Sequence, residues 1–205
     1  RIDIHRRSAQ TIQGTSRRYP EQLMTIIRGE AVIQPIENEY QTDVLRLDLI
    51  HPVTGGNKLF KLKYNIVCAL DSEHRTILTF GGANSNHIAA TAVACREAGL
   101  RSVGIIRGGD HGDTNTLRIA RDHGMILEFE ERGSYKIKSD PDYLEKWRKK
   151  FGEFHLVPEG GANSEGLMGC REIIPPGKSY DFVLCACGTG TTLAGMLSSS
   201  EGSRI

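Results

Sequence analysis

The feature that most constrains this chain is an alternation of short apolar runs with helix-length segments that begins near Thr76. Thr76-Ile77-Leu78-Thr79-Phe80 reads as a buried strand running into Gly81-Gly82. Ile88 to Ala98 is alanine-rich and stops at Gly99, as a helix with a glycine cap does. Ser102 to Ile106 gives a second strand, Asn115 to His123 a helix closed by Gly124, and Met125 to Phe129 a third strand. Repeated βαβ units of this kind require a parallel sheet, so the chain is expected to be an α/β protein.

The pattern continues with a helix over Pro141 to Phe151, a strand at Phe154 to Val157 and a helix over Gly166 to Ile174. A further strand is expected at Asp181 to Ala186, followed by a glycine loop and the start of a helix at Leu193. An α/β chain whose last clear unit is a strand, a loop and a helix start leads to the expectation that further strands belong after Ile205. The first thirty residues say least. Arg6-Arg7, Arg17-Arg18 and Arg28 fit a solvated leader or an irregular helix better than a transit peptide, and only Glu21 to Ile27 has a helical look.

Charge narrows the function classes. Lys plus Arg number 26 against 25 Asp plus Glu, a net charge of +1, which gives no electrostatic reason to expect nucleic acid or an anionic membrane as partner. With no apolar run approaching a membrane span and no secretory leader pattern, the expectation is a cytoplasmic protein acting on a small molecule. Five cysteines, Cys68, Cys95, Cys170, Cys185 and Cys187, lie scattered in apolar segments and read as buried thiols rather than a disulfide framework. Cys185-Ala186-Cys187 would need further ligands to hold a metal, and no metal is expected.

Three glycine-rich segments fall where strands should end, the place where open α/β sheets bind ligands. In Gly55-Gly56-Asn57-Lys58-Leu59-Phe60-Lys61, Lys58 stands in the first turn of a helix and Lys61 follows on the same face. That offers one amine for covalent work and one cation for an anion, although a turn leading into a solvated basic face reads the same way. Phe80-Gly81-Gly82-Ala83-Asn84-Ser85-Asn86-His87 is a loop at a helix entry whose N–H groups suit a carboxylate or phosphate; Ser85 equally fits a helix cap, and His87 a first-turn core residue. Gly188-Thr189-Gly190-Thr191-Thr192 resembles an anion cradle. It lacks the Gly-Lys-Ser/Thr of a nucleotide P-loop and the third glycine of a dinucleotide fingerprint, so ATP and NAD are poorly supported. A Schiff-base lysine beside a phosphate cradle suggests pyridoxal phosphate.

Taken in order, Asp48-Leu49-Ile50-His51-Pro52, Gly-Gly-Asn-Lys, the Ser85-Asn86-His87 loop, Val157-Pro158-Glu159-Gly160-Gly161-Ala162-Asn163 and Gly188-Thr189-Gly190-Thr191-Thr192-Leu193-Ala194-Gly195 resemble one family. It is the 1-aminocyclopropane-1-carboxylate deaminase and D-cysteine desulfhydrase group of the tryptophan synthase β-like, fold type II pyridoxal-phosphate enzymes. The likeness runs from about Ala31 to Ser198. It implies a two-domain α/β architecture with parallel sheets that here lacks its C-terminal part. Residues 1–57 would hold a leader and the start of a large domain, 58–165 the small domain, and 166–205 the return to the large domain.

The resemblance also implies roles. Lys58 would hold pyridoxal 5'-phosphate and move protons at the substrate carbon, with Ser85 as a second catalytic residue. Asn57 and Asn86 would lie near the cofactor ring, while Lys61 and Gly188, Thr189, Gly190, Thr191 and Thr192 contact its phosphate. Ser85, Asn86 and His87 would receive the carboxylate of a small amino-acid substrate, which is deaminated or desulfhydrated to ammonia and a 2-oxo acid. Ring-opening deaminases of the family carry Gln where this chain has His87, which tilts the expectation toward a desulfhydrase. A homodimer is implied. The family's C-terminal tyrosine and its acidic partner for the pyridine nitrogen have no counterpart before Ile205, so an inactive fragment or pseudoenzyme that only binds cofactor or a partner chain is the alternative.

Overall fold

A computed structural model describes residues 31–72, 74–109 and 112–199; the expected helical stretch at Glu21 to Ile27 lies outside them. The described chain opens with an antiparallel hairpin, β1 (Val32–Ile36) and β2 (Thr42–Arg46), in which Val32 faces Arg46. Helix α1 (Lys58–Asp71) then leads into β3 (Thr76–Gly81), α2 (Asn86–Glu97), β4 (Arg101–Arg107), α3 (Asn115–Asp122) and β5 (Ile126–Glu130). After the short α4 (Arg132–Tyr135) come α5 (Pro141–Phe151), β6 (His155–Val157), α6 (Ser164–Cys170) and α7 (Thr191–Leu197).

Strands β3 to β6 form one sheet in the order β5-β4-β3-β6, and every pair in it is parallel. The buried central strands carry no polar alternation, because helices cover both faces. Side chains nevertheless divide by the two-residue period of a strand. Ile77 faces Leu62 and Ile66 of α1 and Ala90 and Ala94 of α2. Leu78 and Phe80 face the opposite way, onto Tyr143, Leu144 and Trp147 of α5. Ile106 joins Ile88 and Ala92 of α2 with Leu117 and Ala120 of α3. The result is a three-layer α/β/α unit with α1, α2 and α3 on one face.

Helix starts follow local chemistry. Asp140 accepts from the Asp142 N–H at 2.9 Å ahead of Pro141, and Thr114 caps α3 through the Leu117 N–H at 3.2 Å. Asn163 accepts from the Gly166 N–H at 2.9 Å, so α6 begins at Ser164 and is finished at Cys170, short of the Ile174 expected from the sequence. One expected strand is absent. Asp181 to Ala186 alternates as a strand would, with Val183 and Cys185 packed toward Phe60 and Cys170, but it forms no ladder. Only Phe182 makes an isolated bridge, the segment joins neither described sheet, and a single bridge does not make a strand whatever the side-chain pattern.

Candidate active site

The loop that delivers Lys58 is tightly built. Gly56 adopts φ +83° and gives its N–H to the Leu47 carbonyl at 2.9 Å, while a Cβ on Gly55 would stand 2.9 Å from the Asp48 backbone. Just upstream, His51 Nδ1 accepts from the N–H groups of Val53 and Thr54 at 3.1 and 3.2 Å, which fixes its proton on Nε2, 2.9 Å from Glu97 at the end of α2. The turn before α1 is thereby tied to the helix that follows β3.

At the start of α1 two parallel hydrogen-bond paths reach the 188–192 loop. Lys58 Nζ donates to Asn57 Oδ1 at 2.9 Å, and Asn57 Nδ2 donates to Thr192 Oγ1 at 2.7 Å. Lys61 Nζ donates to Thr189 Oγ1 at 3.2 Å, and the Thr189 and Thr191 hydroxyls lie 3.2 Å apart. Gly190 turns the loop through φ +80° into α7. Lys58, Asn57, Lys61, Gly188, Thr189, Gly190 and Thr192, together with Gly160 and Cys187, line one cavity of about 170 Å³. A larger open cleft of about 1520 Å³ between the β1–β2 hairpin and residues 173–186 shares Asn57, Ala186 and Thr192 with it. Thr191 is buried beside the cavity and does not line it.

The electrostatics of this corner are one-sided. Lys61 is 3% exposed and Lys58 half-buried, and among the described residues no carboxylate pairs with either. Burial lowers the pKa of the Lys58 amine, and the charge of Lys61 lowers it further. Burial likewise lowers that of Lys61. An anion held there would relieve both. Among the described residues no group of three or more His, Cys, Asp or Glu side chains is arranged to hold a metal ion.

The second expected loop reaches the C-terminal end of β3. Ser85 sits at the N-cap of α2, yet its hydroxyl makes no capping hydrogen bond and is half-buried, and Asn86 is exposed. The Ile88 N–H is taken by the Ser85 carbonyl at 2.9 Å, while the Ser85 hydroxyl caps none of the opening N–H groups of α2. The side chain of His87 goes the other way, 1% exposed, with Nε2 2.9 Å from Thr79 Oγ1.

Two parts of this corner carry no sequence signal for their place in it. Gly160 and Gly161 lie against it: a Cβ on Gly160 would stand 3.3 Å from Thr189, and one on Gly161 3.0 Å from Lys61 Cβ. Asn65 and Asn163 exchange hydrogen bonds at 2.8 and 3.2 Å and hold α1 to the start of α6, with His155 3.1 Å from Asn65. The 157–163 segment is visible as a motif, but its contact with α1 follows only from the folded chain.

No family model matches the chain. A putative 1-aminocyclopropane-1-carboxylate deaminase of Thermotoga maritima is 36% identical over 161 residues, which cover 75% of this chain and 52% of that protein. The bifunctional D-cysteine desulfhydrase/1-aminocyclopropane-1-carboxylate deaminase, mitochondrial, of Arabidopsis thaliana is 33% identical over 162 residues, 69% of this chain and 40% of its own length. Among solved structures, an ACC deaminase homologue superposes with a TM-score of 0.71 at 26% identity, covering 89% of this chain and 62% of that one. A cysteine synthase of Entamoeba histolytica shares the fold, with a TM-score of 0.63 at 18% identity. The chain spans about half the length of the curated relatives it matches.

Proposed function

We propose a catalytic role for a chain that belongs to the 1-aminocyclopropane-1-carboxylate deaminase and D-cysteine desulfhydrase family over the half of those proteins that it spans. The cavity at Lys58 is the seat of pyridoxal 5'-phosphate, and the protein deaminates or desulfhydrates a small amino acid. The observation that carries this is a buried amine, Lys61, and a half-buried one, Lys58, paired with no carboxylate among the described residues and facing one cavity rimmed by threonine hydroxyls and glycines. A phosphate-bearing aldehyde fits that set: an amine for its carbonyl carbon, a cation and hydroxyls for its phosphate.

Lys61, Thr189 and the backbone of Gly188 and Gly190 hold the phosphate, with Thr191 and Thr192 closing the loop behind it. Asn57 steadies the Lys58 amine and stands beside the cofactor ring with Asn86. Ser85, Asn86 and the main chain of His87 receive the substrate carboxylate. Lys58 would anchor the cofactor and, once released, take the α-proton of D-cysteine; the cyclopropane amino acid has no hydrogen on that carbon, and there Lys58 would move a proton at a ring methylene. Its lowered pKa keeps more of the amine in the neutral form that this requires. Bound pyridoxal phosphate supplies the electron sink for bond cleavage at that carbon. Elimination or ring opening would release an enamine that tautomerises to an imine, and water would hydrolyse its C–N bond to give ammonia and a 2-oxo acid, with sulfide as the group eliminated when the substrate is D-cysteine.

Residues 58–165 form the small domain around the parallel sheet, with 1–57 and 166–205 assigned to the large one. A homodimer is proposed as well, as the family resemblance implies. No described helix is long and apolar enough to cross a membrane, and a cytoplasmic site of action is proposed with it. The test is an assay of the purified protein with pyridoxal phosphate for 2-oxo acid, ammonia and sulfide from D-cysteine and from 1-aminocyclopropane-1-carboxylate. Product from either supports the reading. Cofactor uptake with no product from any small amino acid reduces the protein to a cofactor-binding relative.

A further inference from the structure

Residues 47–56 form a closed loop to which the proposed reaction gives no part. Leu47–Leu49 is a short 3-10 turn, and the Gly56 N–H on the Leu47 carbonyl at 2.9 Å ties the neck of the loop. Asn57 and Lys58 follow directly, so the loop sets the angle at which α1 starts. Its middle is anchored by one side chain. His51 is 7% exposed, and its Nδ1 collects the N–H groups of Val53 and Thr54, with the Thr54 hydroxyl 3.3 Å away. A nitrogen that accepts from two N–H groups holds no proton, so the ring is neutral and gives its one N–H, on Nε2, to Glu97 Oε1 at 2.9 Å. With both nitrogens engaged, the ring has a single orientation.

Glu97 is the last residue of α2, and Asn86, behind Ser85, is the first. The 12 residues of this helix span about 18 Å and are buried from His87 to Cys95, which leaves the helix no freedom to tilt alone. One rigid element therefore carries the proposed carboxylate loop at its N-terminal end and, through His51, the loop before Lys58 at its C-terminal end. Ile50 adds an apolar contact to the cluster of α1 and α2. That contact has no direction, whereas the hydrogen bond from His51 to Glu97 does.

We propose that His51 is a positioning residue for Lys58: held on Glu97, it fixes the 47–56 loop against α2 and so fixes the place of the Lys58 amine relative to a substrate carboxylate bound at the other end of that helix. This rests on the reading of Lys58 as the cofactor lysine. A slack loop displaces the amine while Ser85 and Asn86 stay in place, so the loss falls on the chemical step and not on substrate binding.

The test pairs His51→Asn with Glu97→Ala. An Asn side chain still accepts from the N–H groups of the following residues, so the turn survives and only the reach to Glu97 is lost. Each variant should lower kcat about tenfold, the factor for one hydrogen bond to a charged group, with little change in KM. The double variant should lose no more than either single one, because the two residues make one contact. Glu97→Gln keeps an acceptor for Nε2 and should retain most of the parental turnover. Amide hydrogen exchange of the cofactor-free protein gives a second readout: in Glu97→Ala the Gly56 N–H should exchange about tenfold faster, while the Leu62 and Ile66 amides in the middle of α1 keep their parental rates. Parental kcat in the folded variants, additive losses in the double variant, or unchanged Gly56 exchange overturns the proposal. If His51→Asn does not fold, Glu97→Ala, which lies outside the loop, decides, and if the parent loads cofactor without turnover, the Gly56 exchange decides. Failure of the parent to take up pyridoxal phosphate at Lys58 sinks the proposed function as well, whereas full uptake with unaffected variants sinks only this inference.

Discussion

Lys61 is the residue whose removal separates the two jobs given to this corner. Its amine donates to Thr189, and its charge is one reason the Lys58 pKa is low. Lys61→Met should weaken pyridoxal phosphate binding about 10- to 100-fold, the range for losing a charged hydrogen bond to phosphate, as measured by absorbance titration. The sign of the accompanying pH effect is fixed. Without the neighbouring charge the Lys58 pKa rises, the neutral amine appears at higher pH, and the pH midpoint for cofactor loading moves up. An unchanged affinity and midpoint would remove Lys61 from the site. The pairing of Lys58 with Lys61 is legible in sequence because three residues bring side chains to one helix face. The partners of those lysines are not, since Thr189 lies 128 positions from Lys61 and only the fold brings them together. Nor does sequence say which way His87 points: a first-turn residue faces the sheet or the site according to how the helix docks.

At the scale of elements, α6 is held to α1 by the absence of side chains. A Cβ on Gly169 would fall 1.7 Å from the Phe60 carbonyl oxygen, and one on Gly195 of α7 would fall 2.4 Å from Cys170 Cβ. Helix propensity alone counts Gly166 and Gly169 against a helix by about 1 kcal/mol each, yet Gly169 packs against the Phe60 backbone of α1 and Gly166 against the Gly161 carbonyl, and neither place has room for a side chain. Gly169→Ala should therefore cost about 3 kcal/mol in denaturant unfolding, the upper range for overpacking, and should also weaken cofactor binding because α1 carries both lysines. A stable variant with parental affinity would show that α6 does not set the position of α1. The alternation of strands and helices from Thr76 to Phe151 is readable because the apolar period changes with each element and glycine or a capping residue marks the ends. The β1–β2 hairpin is less so: Val32–Ile36 contains Pro35 and is largely exposed, which weakens the strand pattern.

For the molecule as a whole, the parallel sheet follows from the βαβ order, but its sequence of neighbours, β5-β4-β3-β6, depends on which way each crossover turns. The segment at 181–186 shows the limit of pattern reading most clearly. Phe182 to Ala186 is apolar throughout and does not say which side chains turn inward; in the folded chain Val183 and Cys185 pack inward while Phe182 and Leu184 stand exposed, so it is the burial that alternates. Alternation reports sidedness, whereas a strand also needs a neighbour for its backbone groups. The central claim, that this fold brings Lys58 to a pyridoxal phosphate seat made with the 188–192 loop, is tested most directly by chemistry at one atom. The protein is incubated with pyridoxal phosphate, reduced with borohydride, digested and mapped by mass spectrometry. A single reduced adduct on the Lys58 peptide, lost in Lys58→Ala, is the predicted result; an adduct on another lysine, or none, would contradict it.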